Sequence, residues 1–153
     1  MYLYLVQHAK AMKADEGAER GITEEGEDET RRVAQCLHRV KPEIHVIWQS
    51  GRKRARETAE IIGEELDCER RIMEHSHLGP TEPVEPVVTL LENNHNNIMI
   101  VGHLPYLSRL SSQLITGSQE LPVINFTNSA VACLEKTDAQ WTVCWMLTPE
   151  AGI

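Results

Sequence analysis

The sequence predicts an α/β fold, a three-layer α/β/α arrangement with a mainly parallel central sheet and an antiparallel edge or C-terminal hairpin. Three observations predict it. Short apolar runs of strand composition alternate with longer segments at helical spacing as far as Leu114, the pattern of parallel strands joined by helices. Three of those runs stop abruptly in polar turns, at Gln7-His8, Gln49-Ser50-Gly51 and Gly102-His103. Beyond residue 128 the pattern changes to two runs of apolar and β-branched residues around Lys136-Thr137-Asp138-Ala139, a hairpin.

Each element has its own reason. Met1 to Val6 is a continuous run of Tyr, Leu and Val after the methionine, which reads as a buried strand. The polar stretch from Met12 to Gly21 reads as a loop. Thr23 followed by Glu24 and Glu25 starts a helix, because a threonine oxygen accepts from an orphan amide and acids in the first turn complement the dipole. Val33, Cys36, Leu37 and Val40 then recur at helical spacing, so that helix runs from about Glu24 to Val40 and stops before Pro42. Ile44 to Trp48 is a second strand, and Arg52 to Leu66 a second helix with Ala55, Ala59, Ile62 and Leu66 near one face. From Cys68 to Pro86 glycine and proline break any long element, leaving a short extended piece at Ile72-Met73. A helix from Pro86 ends near Asn93. Asn97 to Val101 is the clearest strand, and Pro105 to Leu114 is a helix with proline where its missing amide costs least.

With 153 residues the chain has the size of a single domain, residues 1–153. A net charge of −8 argues against nucleic acid or a membrane surface as partner, since both are polyanions. No run approaches membrane-spanning length and the apolar start lacks a basic region ahead of it, so a soluble cytoplasmic protein is expected. Cys36, Cys68, Cys133 and Cys144 are widely spaced and read as buried packing thiols of a reducing compartment. Oligomeric state is not written in the sequence.

In an open α/β sheet ligands bind at the carboxyl ends of strands, which is where His8, the Ser50 to Arg54 turn and His103 fall. Arg52, Lys53, Arg54 and Arg56 crowd the amino-terminal turn of the second helix, where positive charge opposes the dipole unless an anion receives it. The alternative is a solvated basic face paired with Glu57 and Glu60. Two imidazoles and a guanidinium in one pocket make an anion site in which one imidazole is also a nucleophile.

These residues resemble the histidine phosphatase superfamily, the phosphoglycerate-mutase-like fold, and within it the SixA-like phosphohistidine phosphatases. Leu5-Val6-Gln7-His8-Ala9-Lys10-Ala11 is similar to the family's Arg-His-Gly or Arg-His-Ala-Lys segment. Arg20-Gly21-Ile22-Thr23-Glu24-Glu25-Gly26 resembles Arg-x-Leu-Thr-x-x-Gly, Ser50 to Ala59 resembles Ser-Pro-x-x-Arg-Ala-x-Gln-Thr-Ala, and Val101-Gly102-His103-Leu104-Pro105 matches Val-Gly-His-x-Pro. The resemblance implies a phosphatase in which His8 accepts the phosphoryl group, Arg54 and His103 bind and polarise its oxygens, and Gln7 and Arg20 are further phosphate contacts. It implies two-step hydrolysis through a phosphohistidine intermediate, with no metal and no cofactor. The expected substrate is phosphohistidine on another protein, such as a histidine phosphotransfer domain, because the chain has little room for segments that would cover the pocket of a small-molecule enzyme.

The departure is Gln7, where the family has arginine. Loss of that charge predicts slow turnover unless Lys10, Arg20 or Arg52 restores it, and leaves open a binding relative without turnover, or a small-molecule phosphomonoesterase. A general acid is unassigned among Glu74, His77 and Glu82. His75, His77 and His95 have no metal-ligand spacing.

Overall fold

The computed structural model describes residues 1–14 and 19–151. β1 (Tyr2–Gln7) leads to α1 (Glu24–Val40), β2 (Val46–Gln49), α2 (Lys53–Glu65), a 3-10 turn at Glu69–Arg71, and β3 (Ile72–Glu74). Then follow α3 (Glu85–Glu92), β4 (Ile98–Gly102), α4 (Tyr106–Thr116), β5 (Val131–Thr137) and β6 (Gln140–Leu147).

α1 has the bounds its sequence dictates. Thr23 Oγ1 accepts from the Gly26 amide at 3.0 Å, Glu24, Glu25 and Glu27 occupy the first turn, and Lys41 closes the helix in a left-handed conformation (φ 46°) just before Pro42. At their carboxyl ends three strands, β1, β2 and β4, reach one residue further than their apolar runs. The amides of Gln7 and His8 still donate to the Ala130 and Gly102 carbonyls, at 3.2 and 3.0 Å, because the ladder depends on backbone groups and not on side-chain polarity. β2, in contrast, starts at Val46 and not Ile44, although Ile44 is buried.

The strands form one sheet in the order β3-β2-β4-β1-β5-β6. β1, β2 and β3 run parallel to their neighbours around β4, whereas β5 is antiparallel to β1 and β6 to β5. Alternation along β1 divides the core. Leu3 and Leu5 join α3 and α4 through Val87, Leu91, Tyr106, Leu107 and Leu110. Tyr4 and Val6 join α1 and α2 through Val33, Leu37, Ala55, Ala59 and Ile62. Helices therefore cover both faces, the arrangement expected when central strands are apolar throughout.

The register brings the three strand ends together. Gln7 stands opposite Gly102 and Gln49 opposite Val101, so the residues that follow, His8, Ser50 and His103, emerge side by side from one edge of the sheet. The loop expected from Met12 to Gly21 lies partly outside the described residues, at 15–18. Its base is closed by the Ala11–Ile22 bridge and by the Met12 amide donating to Gly21 at 2.8 Å.

The expectation of buried cysteines holds for two positions only. Cys68 and Cys133 are buried, Cys36 is intermediate and Cys144 is exposed. Cys144 is the residue left over where β6 shifts register against Cys133 and Leu134, an irregularity that spacing along the chain does not announce. Among the described residues no helix is long and apolar enough to cross a membrane.

A Cβ at Gly26 would stand 2.6 Å from the Lys10 carbonyl oxygen and 3.0 Å from its amide nitrogen. Both are backbone atoms of the segment that follows His8, so Gly26→Ala must push α1 and that segment apart. The expected cost is about 1–3 kcal/mol, read as a lower urea midpoint with an unchanged slope.

Candidate functional site

His8 is held at three points just past β1. Its amide donates to Gly102, its carbonyl accepts from Asn128 Nδ2 at 3.0 Å, and its ring Nδ1 lies 2.7 Å from the Ala9 carbonyl. A carbonyl only accepts, so Nδ1 carries the proton and Nε2 keeps a free lone pair. Burial lowers the His8 pKa from its ordinary value, the Ala9 hydrogen bond opposes that, and the charges of Arg54 and Arg20 lower it further.

The second imidazole faces the first. The His8 and His103 ring centroids are 5.1 Å apart, at 52°. His103 is 1% exposed, with Nε2 2.5 Å from Ser50 Oγ and Nδ1 buried without a partner among the described residues. Its pKa is pushed down to about 3, by burial first and then by His8, Arg54, Arg52 and Arg20. Both rings are therefore neutral near pH 7, and the charges acting on them from neighbouring side chains are cationic.

Arg54 stands in the first turn of α2, with Nε buried and without a hydrogen-bond partner among the described residues. Burial lowers its pKa, as do Arg20 and Arg52, against the opposing pull of Glu19. Such a cluster of positive charge at a helix amino terminus is unfavourable by itself and favourable around an anion. The basic turn thus divides. Arg54 belongs to the site, while Arg56 takes the solvated alternative, 3.9 Å from Glu60. Glu57 pairs with neither, accepting instead from the Ile22 amide at 3.1 Å.

Thr58, one turn further along α2, fixes the distance between Arg54 and the His8 loop. Its hydroxyl donates to the Arg54 carbonyl at 2.7 Å and accepts from the Ala9 amide at 2.9 Å, fully buried.

Of the other residues expected at the site, Gln7 ends β1 with Oε1 buried and unpartnered, and Arg20 acts through its charge on both histidines. Lys10 does not supply the charge missing at Gln7. Its ammonium lies 2.7 Å from Glu25 and 3.4 Å from Glu29, leaving Arg20 and Arg52 as the guanidiniums beside Arg54 that act on His103. Among the acid candidates, Glu74 reaches the turn itself. Its carboxyl fills the space where Gly51 would carry a Cβ, and Gly51 is held at φ +89°, which explains glycine there. Glu82 packs on Gly79, and the His77 amide donates to His75 Nδ1 at 3.3 Å, His75 itself lying 4.6 Å from the Trp48 ring. His95 is at the opposite end of the sheet, beside Met1 and Trp141. Among the described residues no group of three or more His, Cys, Asp or Glu side chains is placed to hold a metal ion.

Three contributors escape sequence reasoning. Ser50 stood in the turn pattern without a role, and Glu19 accepts from the Lys53 amide at 3.1 Å across 34 residues. Asn128 reaches His8 across 120 residues. Only Ser50 had a local signal, its position directly after a strand.

The model of the histidine phosphatase superfamily (branch 1) matches residues 3–77, a span that contains His8, Arg20 and Arg54. Over that first half the chain is similar to the histidine phosphatase superfamily. Phosphohistidine phosphatase SixA of Escherichia coli K12 is 28% identical over 155 residues, covering 97% of this chain and 94% of that protein. The solved structure of the protein histidine phosphatase SixA complexed with tungstate superposes with a TM-score of 0.87 at 27% identity, covering 97% of each chain. A SixA structure from Agrobacterium tumefaciens, described as a phosphohistidine phosphatase by assignment, shares the fold with a TM-score of 0.81 at 24% identity, again over 97% of each chain.

Two outcomes follow from this geometry. Thr58→Val keeps the shape of the side chain but leaves the Ala9 amide buried without an acceptor, so it costs about 1–3 kcal/mol in urea unfolding and weakens the binding of tungstate, a tetrahedral oxyanion. His8 and His103 both have folded pKa values below the 6.5 of an unperturbed imidazole. As pH falls through that value the unfolded chain takes up protons that the folded one does not, so stability is full above it and declines from there toward acid. Thermal midpoints measured in anion-free buffers should fall between pH 7 and 4, with a shallower slope in His103→Asn.

Proposed function

We propose that this chain hydrolyses phosphohistidine on a protein substrate through a phosphoryl intermediate on His8, and that residues 1–153 act as one domain. The observation that carries the reading is the pair of neutral imidazoles 5.1 Å apart, with Arg54 Nε and His103 Nδ1 both buried and without a hydrogen-bond partner among the described residues. In this reading bound phosphoryl oxygens supply the partners these atoms lack.

The chemistry follows from the tautomer. With Nδ1–H committed to the Ala9 carbonyl, His8 Nε2 attacks phosphorus as the P–N bond to the substrate imidazole breaks. The leaving imidazole departs already protonated, which removes the need for a strong general acid and suits the position of Glu74, Glu82 and His77 outside the histidine pair. Arg54, Arg20 and Arg52 stabilise the charge spread over the oxygens, and Ser50 holds the His103 ring. Water then attacks the phosphoryl group on His8, the second P–N bond breaks, and inorganic phosphate and a proton leave. The similarity to phosphohistidine phosphatase SixA over nearly the whole chain supports the choice of substrate class, as does the fold shared with its structure.

Gln7 retains hydrogen-bonding capacity without charge. A hydrogen bond to a charged group contributes about 1.5–3 kcal/mol, so Gln7→Arg should raise turnover roughly ten- to over a hundredfold. The deciding experiment uses a histidine phosphotransfer domain labelled with radioactive phosphate. Wild type should release phosphate and carry an acid-labile label that His8→Ala lacks. Equal release by the two proteins would remove the phosphatase reading and leave a phosphate-binding one.

A further inference from the structure

An apolar groove of about 310 Å³ opens beside the candidate site, lined by Leu104, Ser108, Val123, Ile124 and Phe126 together with their neighbours. Both of its walls lead into the histidines. Leu104 is the residue after His103. The opposite wall continues from Phe126 to Asn128, which binds the His8 carbonyl, and to Ser129, whose amide donates to the Gln7 carbonyl at 3.0 Å.

The wall segment is anchored on one side and apolar on the other. Ile124 and Phe126 are buried in the core, whereas Leu121 is 58%, Val123 43% and Leu104 40% exposed. Leu121 and Val123 thus leave much of their apolar surface open to solvent. Clustered aliphatic exposure at the rim of a polar site marks a contact surface more than a solvated loop. The charges of Arg54, Arg52 and Arg20 all bear on His103, a concentration of positive charge beside the groove in a protein whose net charge is −8.

We propose that the groove is the docking surface for the protein substrate, and that its occupant is an amphipathic segment with aliphatic residues on one side of the phosphorylated side chain and acidic residues on the other. The inference rests on the phosphohistidine reading and adds where discrimination resides. The apolar wall, reached from the site through Leu104 and Asn128, receives the protein around the phosphate. A free phosphorylated amino acid occupies the space at the histidines and has no part that reaches Val123. The groove therefore lowers the barrier for the protein substrate and leaves the small one unaffected.

Val123→Glu in the groove lining and Leu121→Glu at its margin, next to Pro122, test this, both positions being solvent-exposed. With a histidine phosphotransfer domain phosphorylated by phosphoramidate, each change should lower kcat/KM at least tenfold. With free phosphohistidine the same ratio should stay within twofold. Equal losses on both substrates, or no loss on the domain, would overturn the groove. Calorimetric binding of the unphosphorylated domain to His8→Ala, with and without Val123→Glu, separates the two readings. Should no His8-dependent hydrolysis exist, weaker binding by the double variant still supports the groove, and unchanged binding refutes it.

Discussion

The Thr58 hydroxyl joins two parts of the chain that would otherwise set their own distance. By accepting from the Ala9 amide and donating to the Arg54 carbonyl it clamps the segment that leaves β1 to the first turns of α2. His8 and Arg54 therefore sit on one rigid frame, although neither touches Thr58 through its side chain. Because the hydroxyl is fully buried, no water competes for either bond, and each holds its geometry more firmly than a surface contact would. The close approach of Gly26 to the Lys10 backbone and the Thr23 amide donating to the Lys10 carbonyl at 2.8 Å secure the other side of the same segment.

Around that frame the fold accepts an electrostatic cost. Three arginines act on the buried His103 and two of them on the half-buried His8, and burial together with mutual repulsion lowers the pKa values of His8, Arg54 and His103. Neutral rings relieve part of the repulsion. An anion relieves the rest, because the phosphoryl oxygens replace the water that burial removed. The same arrangement keeps His8 Nε2 unprotonated near neutrality, so an environment that favours anions and a free imidazole lone pair have one physical origin. Gln7 adds no charge to that environment. Its side chain has no bearing on the His8 tautomer, which the Ala9 carbonyl sets.

Much of this was legible in the linear chain, and the reasons differ by residue. Glu24–Val40 could be read to both ends because a capping threonine, acidic first turn and following proline act locally. The strand ends at His8 and His103 were readable because buried parallel strands are apolar throughout and break sharply where they reach solvent. Arg54 could not be told from Arg52 or Arg56 by composition, since all three occupy one turn. Only the direction each side chain takes separates the buried guanidinium from the one beside Glu60. Lys10 was similarly ambiguous until α1 was in position, where Glu25 and Glu29 claim it. Cys144 is exposed because β6 slips by one residue against β5, a pairing property invisible in either strand alone.

By itself the sequence determined the elements, their order, the histidines at strand ends and the absence of arginine at position 7. These are matters of short-range periodicity, capping and residue identity, which operate over a few neighbours. The tertiary structure decided which groups meet. Asn128 holds His8, Ser50 meets His103, Glu19 caps α2, and a groove between Leu104 and Val123 opens at their side. Those contacts join residues tens of positions apart. They depend on sheet order and register, and no local propensity encodes either.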